Sequence, residues 1–222
     1  MTEKNCTWIF DLDGTLIDSQ AAILSSLRTA ITSIAPDRLQ MLASVKIGPP
    51  LKTIASQLLG QERITTNPLE VGQFIDTFKA IYDDAGVRQT LPYPGVNELL
   101  QELSRRNQRL IIATNKRAVP TRKLLALLGW VDYFSWVGCL DEANEPDLGK
   151  QSIIKTYVEK TGINSSNHVF IGDTVADAMV AEHFSMPFVH AAYGYEPVDA
   201  HWQGIACAGR IDSPLKLLNI KI

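Results

Sequence analysis

Asn5-Cys6-Thr7-Trp8-Ile9-Phe10 is a short run with apolar residues and no proline, and it stops abruptly at Asp11-Leu12-Asp13-Gly14-Thr15-Leu16. A parallel strand buried on both faces reads as a near-continuous apolar run. Open α/β sheets hold their ligands just beyond the carboxyl ends of such strands. Two carboxylates one residue apart at that place repel each other unless something cationic lies between them. A hard divalent cation such as Mg2+, which takes oxygen ligands, suits the position, and Gly14 lets the chain turn sharply beneath it. The plainer alternative is an acidic surface turn, and the rest of the chain argues against it.

From residue 91 onward, helical patterns alternate with short apolar runs. Strands are expected at Arg109–Ala113, Ser135–Gly138, His168–Ile171, Phe188–Ala191 and Cys207–Ile211. Helices are expected at Asn97–Arg106, from Pro120 to a stop at Gly129, from Gln151 to Lys160 ending at Gly162, over Ala176–Phe184, and from Pro214. This order predicts a parallel sheet with right-handed crossovers. Between residues 20 and 88 the spacing predicts only helices: 20–33 behind Ser19 as N-cap, 39–43, 51–59 and 69–85. Leu91-Pro92-Tyr93-Pro94-Gly95 reads as the linker back into the sheet. The expected fold is α/β: a Rossmann-like parallel sheet core flanked by helices, residues 1–17 and 91–222, with an inserted all-helical cap domain over residues 18–90.

Composition excludes other classes. The 222 residues are 45% hydrophobic and 20% charged, with a formal net charge of −3, an ordinary globular balance. Lys and Arg are scattered, which argues against a nucleic-acid or membrane partner. The N-terminus lacks a signal-peptide layout. Cys6, Cys139 and Cys207 are odd in number and far apart, so they read as buried free thiols in a reducing, cytoplasmic setting. The histidines, His168, His183, His190 and His201, have no metal-ligand spacing, and Trp8, Trp130, Trp136 and Trp202 read as core.

The residues following each expected strand should gather on one edge of the sheet. They are Asp11 and Asp13; Thr114-Asn115-Lys116; Gly138-Cys139 with Asp141 and Glu142; and Gly172-Asp173-Thr174 with Asp177. Carboxylates, a hydroxyl and lysines fit phosphoryl chemistry. These positions carry a resemblance to the haloacid dehalogenase superfamily, in its phosphoglycolate phosphatase-like branch with a helical cap. Asp11-Leu12-Asp13-Gly14-Thr15 is similar to the first motif of that superfamily, Thr114 to the second, Lys150 to the third, and Gly172-Asp173-Thr174-Val175-Ala176-Asp177 to the fourth. The chain departs from the family pattern at Glu145-Pro146-Asp147-Leu148-Gly149-Lys150, which leaves Lys155 as a rival to Lys150, and at Phe184-Ser185.

The resemblance implies catalytic roles for Asp11 as nucleophile, Asp13 as general acid and then base, and Thr114 and Lys150 on the phosphoryl oxygens. It implies a Mg2+ site from Asp11, Asp13 (through its backbone carbonyl), Asp173 and Asp177. Backbone N–H groups of Leu12 and Asn115 would complete the phosphoryl cradle. Gly48, in the loop Lys46–Lys52, is the best placed cap residue to face substrate, with Arg63, Tyr82, Arg88 and Lys116 unranked. The implied activity is Mg2+-dependent hydrolysis of a small phosphate monoester, phosphoglycolate-like or nucleotide-like, by a monomer or homodimer. A sugar-phosphate mutase and a non-catalytic relative that binds a phosphorylated metabolite are the alternatives. Asp13 disfavours a dehalogenase, which needs no acid there. Hinges are expected near Ile17-Asp18 and Thr90–Pro92.

Overall fold

The computed structural model describes residues 6–60, 68–161, 167–196 and 202–221. Its centre is β1 (Thr7–Phe10), flanked by β4 (Arg109–Thr114) and β6 (His168–Gly172). The sheet continues to β5 (Phe134–Cys139) on one side, and to β7 (Phe188–Ala191) and β8 (Gly209–Ile211) on the other. The six strands run in the order β5-β4-β1-β6-β7-β8, with every pairing parallel. Chain order reverses at β1, which opens a crevice at its carboxyl end between β4 and β6.

The pairing register shows why the apolar runs were legible. Trp8 and Phe10 face one side with Leu110, Ile112, Val169 and Ile171. Ile9 faces the other with Ile111, Ala113 and Phe170. Helices α5 (Val96–Arg105), α6 (Ala118–Leu128), α7 (Lys150–Thr161) and α8 (Val175–His183) cover the sheet. At the stop of α6, Gly129 takes φ +69°, as expected of a left-handed C-terminal residue.

A helical block lies between two very short strands, β2 (Ile17–Asp18) and β3 (Leu91–Pro92). These pair antiparallel, Ile17 with Pro92 and Asp18 with Leu91. The block contains α1 (Gln20–Ile34), a 3-10 helix over Pro36–Ser44, α2 (Leu51–Leu59) and α3 (Pro68–Ile81). A π-helical turn, Tyr82–Gly86, then leads into α4 (Val87–Gln89). The architecture is thus a Rossmann-like α/β core with an all-helical insertion. No helix among the described residues is long and apolar enough to cross a membrane.

Several expectations are corrected. Ser19 stands at the N-cap of α1 but makes no side-chain capping bond, because its hydroxyl is used elsewhere. Helix α6 begins at Ala118, two residues before Pro120. The expected terminal helix from Pro214 is a 3-10 helix, Pro214–Asn219. The expected linker at residues 91 and 92 is strand β3. Cys139 is buried, but Cys6 is partly buried and Cys207 exposed. Trp8, Trp130, Trp202, His168 and His190 are buried, whereas Trp136 is partly buried and His183 exposed. Arg63, Gly162 and His201 lie outside the described residues.

Candidate active site

Asp11 follows the last residue of β1, and its N–H donates to Ile171 O of β6 at 2.9 Å, so sheet pairing fixes its backbone. Its side chain is buried. One carboxylate oxygen accepts the Leu12 N–H at 2.7 Å. The other meets the Lys150 ammonium at 2.7 Å. Lys150, the first residue of α7, also reaches Asp177 Oδ1 at 2.5 Å. Lys155 instead sits at the surface, 3.5 Å from Glu145, so the geometry brings Lys150 and not its rival to the strand ends.

Asp177 belongs to a capping box. The Thr174 side chain accepts from Asp177 N, and Asp177 Oδ2 accepts from Thr174 N at 3.1 Å and Thr174 Oγ1 at 2.6 Å. The start of α8 therefore orients one carboxylate oxygen to its own N-terminus and the other to Lys150. Asp173, after β6, is fully buried. It accepts from Thr15 Oγ1 at 3.2 Å and from the Tyr195 N–H at 2.8 Å. Oxygens of Asp11, Asp173 and Asp177 lie within 4.8 Å of one another.

Glycines make this crowding feasible. A Cβ on Gly14, at φ +87°, would lie 2.3 Å from Asp173 Oδ2. One on Gly194 would lie 2.2 Å from Asp173 Cβ. Burial pushes Asp11 well above the usual carboxylate range, against the pull of Lys150, and Asp177 and Asp173 add to the rise. Burial, then Asp177, push Asp173 up to about 7. For Lys150, burial opposes the charge, but Asp11 and Asp177 outweigh it and raise the group.

Three buried carboxylates thus cluster around one ammonium, which bonds two of them, Asp11 and Asp177. The donors are all oxygens and the anions are in excess, so this donor set fits a hard divalent cation.

The Asp13 carboxylate does not join them, which corrects the expectation that it faces the same cation as Asp11 and Asp173. Lys116 Nζ holds it at 2.8 and 3.2 Å, and the Ser19 hydroxyl donates to Oδ1. Opposite-charge pairing with Lys116 draws Asp13 toward the helical block. There Lys116 Nζ also reaches Tyr82 OH at 2.7 Å and lies 4.5 Å from the centre of its ring. Next in sequence, Arg117 grips Asp83 with both terminal nitrogens. Two adjacent cations at the start of α6 therefore clasp two adjacent residues of the π turn.

Thr114 is buried and its Oγ1 accepts the Lys116 N–H at 3.1 Å. Asn115 Nδ2 donates to Gly48 O at 3.0 Å, so the expected loop does meet the strand ends. Gly48, at φ +119°, lines two cavities that share Asp11. The smaller, of about 70 Å3, also contains Asp13, Thr114 and Lys116. The larger, a cleft of about 620 Å3, contains Lys150 and Lys46.

Other expected site residues are occupied elsewhere. Asp141 accepts the Ala118 N–H at 2.8 Å and so caps α6, Glu142 pairs with Arg122, and Arg88 pairs with Asp84 at the surface. Sequence reasoning left Lys116 and Tyr82 unranked and missed Ser19 and Tyr195. Tyr195 OH accepts the Ser19 N–H at 2.7 Å while its own N–H holds Asp173. The signal available was position: Tyr193-Gly194-Tyr195 follows β7 at the same sheet edge.

Comparison with known proteins shows which family has this sequence pattern and fold. The chain is 28% identical over 194 residues to the phosphoglycolate phosphatase of Agrobacterium fabrum, covering 86% of this chain and 82% of that one. It is 25% identical over 205 residues to a 5'-nucleotidase of Pseudomonas aeruginosa, covering 90% of each. Its fold matches a haloacid dehalogenase-like family hydrolase of Streptococcus pneumoniae with a TM-score of 0.80 at 21% identity, over 96% of this chain and 97% of that one. The sequence profile described as haloacid dehalogenase-like hydrolase matches residues 8–191, and this chain belongs to that family.

Proposed function

We propose that this phosphatase hydrolyses a small phosphate monoester with the help of Mg2+, by way of an aspartyl-phosphate on Asp11. The observation that carries the reading is the division of labour around β1: Asp11 lies against Lys150, Asp173 and Asp177, while Asp13 turns to the opposite wall. Asp11 Oδ attacks phosphorus, a new P–O bond forms, and the ester P–O bond breaks. Asp13 gives its proton to the leaving oxygen. Water then attacks the aspartyl-phosphate and hands a proton back to Asp13, releasing orthophosphate and restoring Asp11. Lys150 offsets the charge that builds on the phosphoryl oxygens, and Thr114 and the backbone N–H groups of Leu12 and Asn115 hold them.

Mg2+ held by Asp11, Asp173 and Asp177 would supply charge neutralisation and polarisation of the phosphoryl group. Residues 18–90 act in this reading as a cap on the core of residues 1–17 and 91–222, hinged at β2 and β3, closing to exclude water.

A screen of phosphate monoesters with Mg2+, run beside Asp11→Asn, tests the reading. Turnover by the parent and none by the folded variant is the expected result. Equal activity in the purified variant refutes Asp11 as nucleophile.

A further inference from the structure

Asp11 and Asp13 both line the smaller cavity between core and helical block, so in the reading proposed above the leaving alcohol sits there. Its far wall is hydrocarbon: Ile23, Leu27, Ile47, Leu51, Ile54 and Phe78. Two cations line it among the described residues, Lys116 and Arg117, and neither is free. Lys116 is bonded to Asp13 and Tyr82, and its side chain is 6% exposed. Arg117 is bonded through both terminal nitrogens to Asp83, and their side chains are 18% and 19% exposed.

A substrate carboxylate entering this space would lose its water and meet apolar side chains. Taking Lys116 for itself would strand Asp13, and taking Arg117 would strand Asp83. Either choice leaves a partly buried anion without its cation, which is a costly arrangement.

We infer that the substrate is the phosphate monoester of an uncharged alcohol with a hydrocarbon body, and that an anionic alcohol such as glycolate is selected against. The cavity opens onto the larger cleft through shared Asp11, Gly48 and Asn115, so its apolar wall, and not a closed volume, chooses the alcohol. A nucleoside would bring a polar sugar and base against that wall. The relatives named phosphoglycolate phosphatase and 5'-nucleotidase therefore share this chain's phosphoryl chemistry without its choice of alcohol.

The test compares isobutyl phosphate with phosphoglycolate, in which a carboxylate replaces a branched carbon of the same shape, and with adenosine monophosphate. With Mg2+ present, kcat/KM for isobutyl phosphate should exceed that for phosphoglycolate by at least about tenfold. Asp83→Asn keeps the shape at residue 83 and releases the Arg117 charge into the cavity. That variant should shift the ratio of the two kcat/KM values toward phosphoglycolate by about tenfold, a readout unaffected by any general loss of activity. Phosphoglycolate or adenosine monophosphate as the better substrate of the parent enzyme overturns the inference while leaving the phosphatase reading standing. An unchanged ratio in folded Asp83→Asn overturns the account of the neutralised cations. Failure to turn over any ester removes both readings together.

Discussion

Lys150 shows how much of the site depends on single atoms. Its ammonium is buried and is bonded to Asp11 and Asp177 at once. Replacing it with Met keeps the length and removes the charge, leaving two buried carboxylates facing each other. Lys150→Met should lose about 3–5 kcal/mol of stability in chelator, measured by denaturant unfolding. A loss below about 1 kcal/mol would mean that the lysine is not what holds these anions in place. Gly14 acts by what it lacks. An added Cβ meets Asp173 Oδ2 at 2.3 Å, and φ +87° already disfavours any side chain. Gly14→Ala must displace Asp173, and a shift of about 1 Å at a reacting centre costs about a hundredfold in rate. The check is turnover of the best ester found, with the fold verified by circular dichroism. Activity within about threefold of the parent would show that Asp173 has room to move.

Among the elements, the π turn Tyr82–Gly86 ties the helical block to the acid–base side chain. Gly86 leaves room for the Tyr82 ring, since a Cβ there would lie 2.4 Å from it. The ring stacks on Phe78 at 5.4 Å and presents its hydroxyl to Lys116. Tyr82→Phe preserves the stack and removes one bond to a buried charge. It should cost about 1.5–3 kcal/mol, seen as a fall of about 3–10 °C in Tm, together with reduced kcat/KM. An unchanged Tm would mean that Lys116 is held by Asp13 alone. This turn was not legible in the sequence, because the helical periodicity of residues 69–85 reads straight through it. Strands β1, β4 and β6 were legible because helices cover both sheet faces, which writes an unbroken apolar run. Strands β2 and β3 were not, since a two-residue ladder has no periodicity to detect. At the site, Asp11, Thr114, Asp173 and Asp177 could be placed at the sheet edge from their positions after strands, whereas Lys150 came only through the family resemblance, with Lys155 as a rival. The direction of Asp13 could not. It depends on Lys116, 103 residues away, and on Tyr82 across the gap between insertion and core.

Across the whole molecule, the buried carboxylates make stability depend jointly on pH and divalent cation. Asp173 titrates near 7 in the folded protein against an ordinary value of 3.8. The folded state therefore keeps a proton between those two pH values that the unfolded chain has released. This contribution is fully present below about pH 4 and is lost as pH rises through 7. His190 works in the opposite sense. Burial, with help from Arg210, lowers it from 6.5 to about 4, so its contribution is lost as pH falls through that window. A plain pH profile of the parent protein mixes the two effects, but a comparison with Asp173→Asn separates them, since His190 is common to both. At pH 5 the parent carries a neutral acid at 173, much like the variant; at pH 8 it carries a buried anion. Without divalent cation, the Tm of Asp173→Asn relative to the parent should rise by about 5–10 °C between pH 5 and pH 8, corresponding to about 2–3 kcal/mol. Mg2+ at pH 8 should cancel that advantage by stabilising the parent selectively, by about 2.7 kcal/mol at a hundred times Kd. A Tm difference that is flat with pH, or a Mg2+ effect equal in both proteins, would mean that Asp173 neither carries the buried charge nor helps to hold the cation.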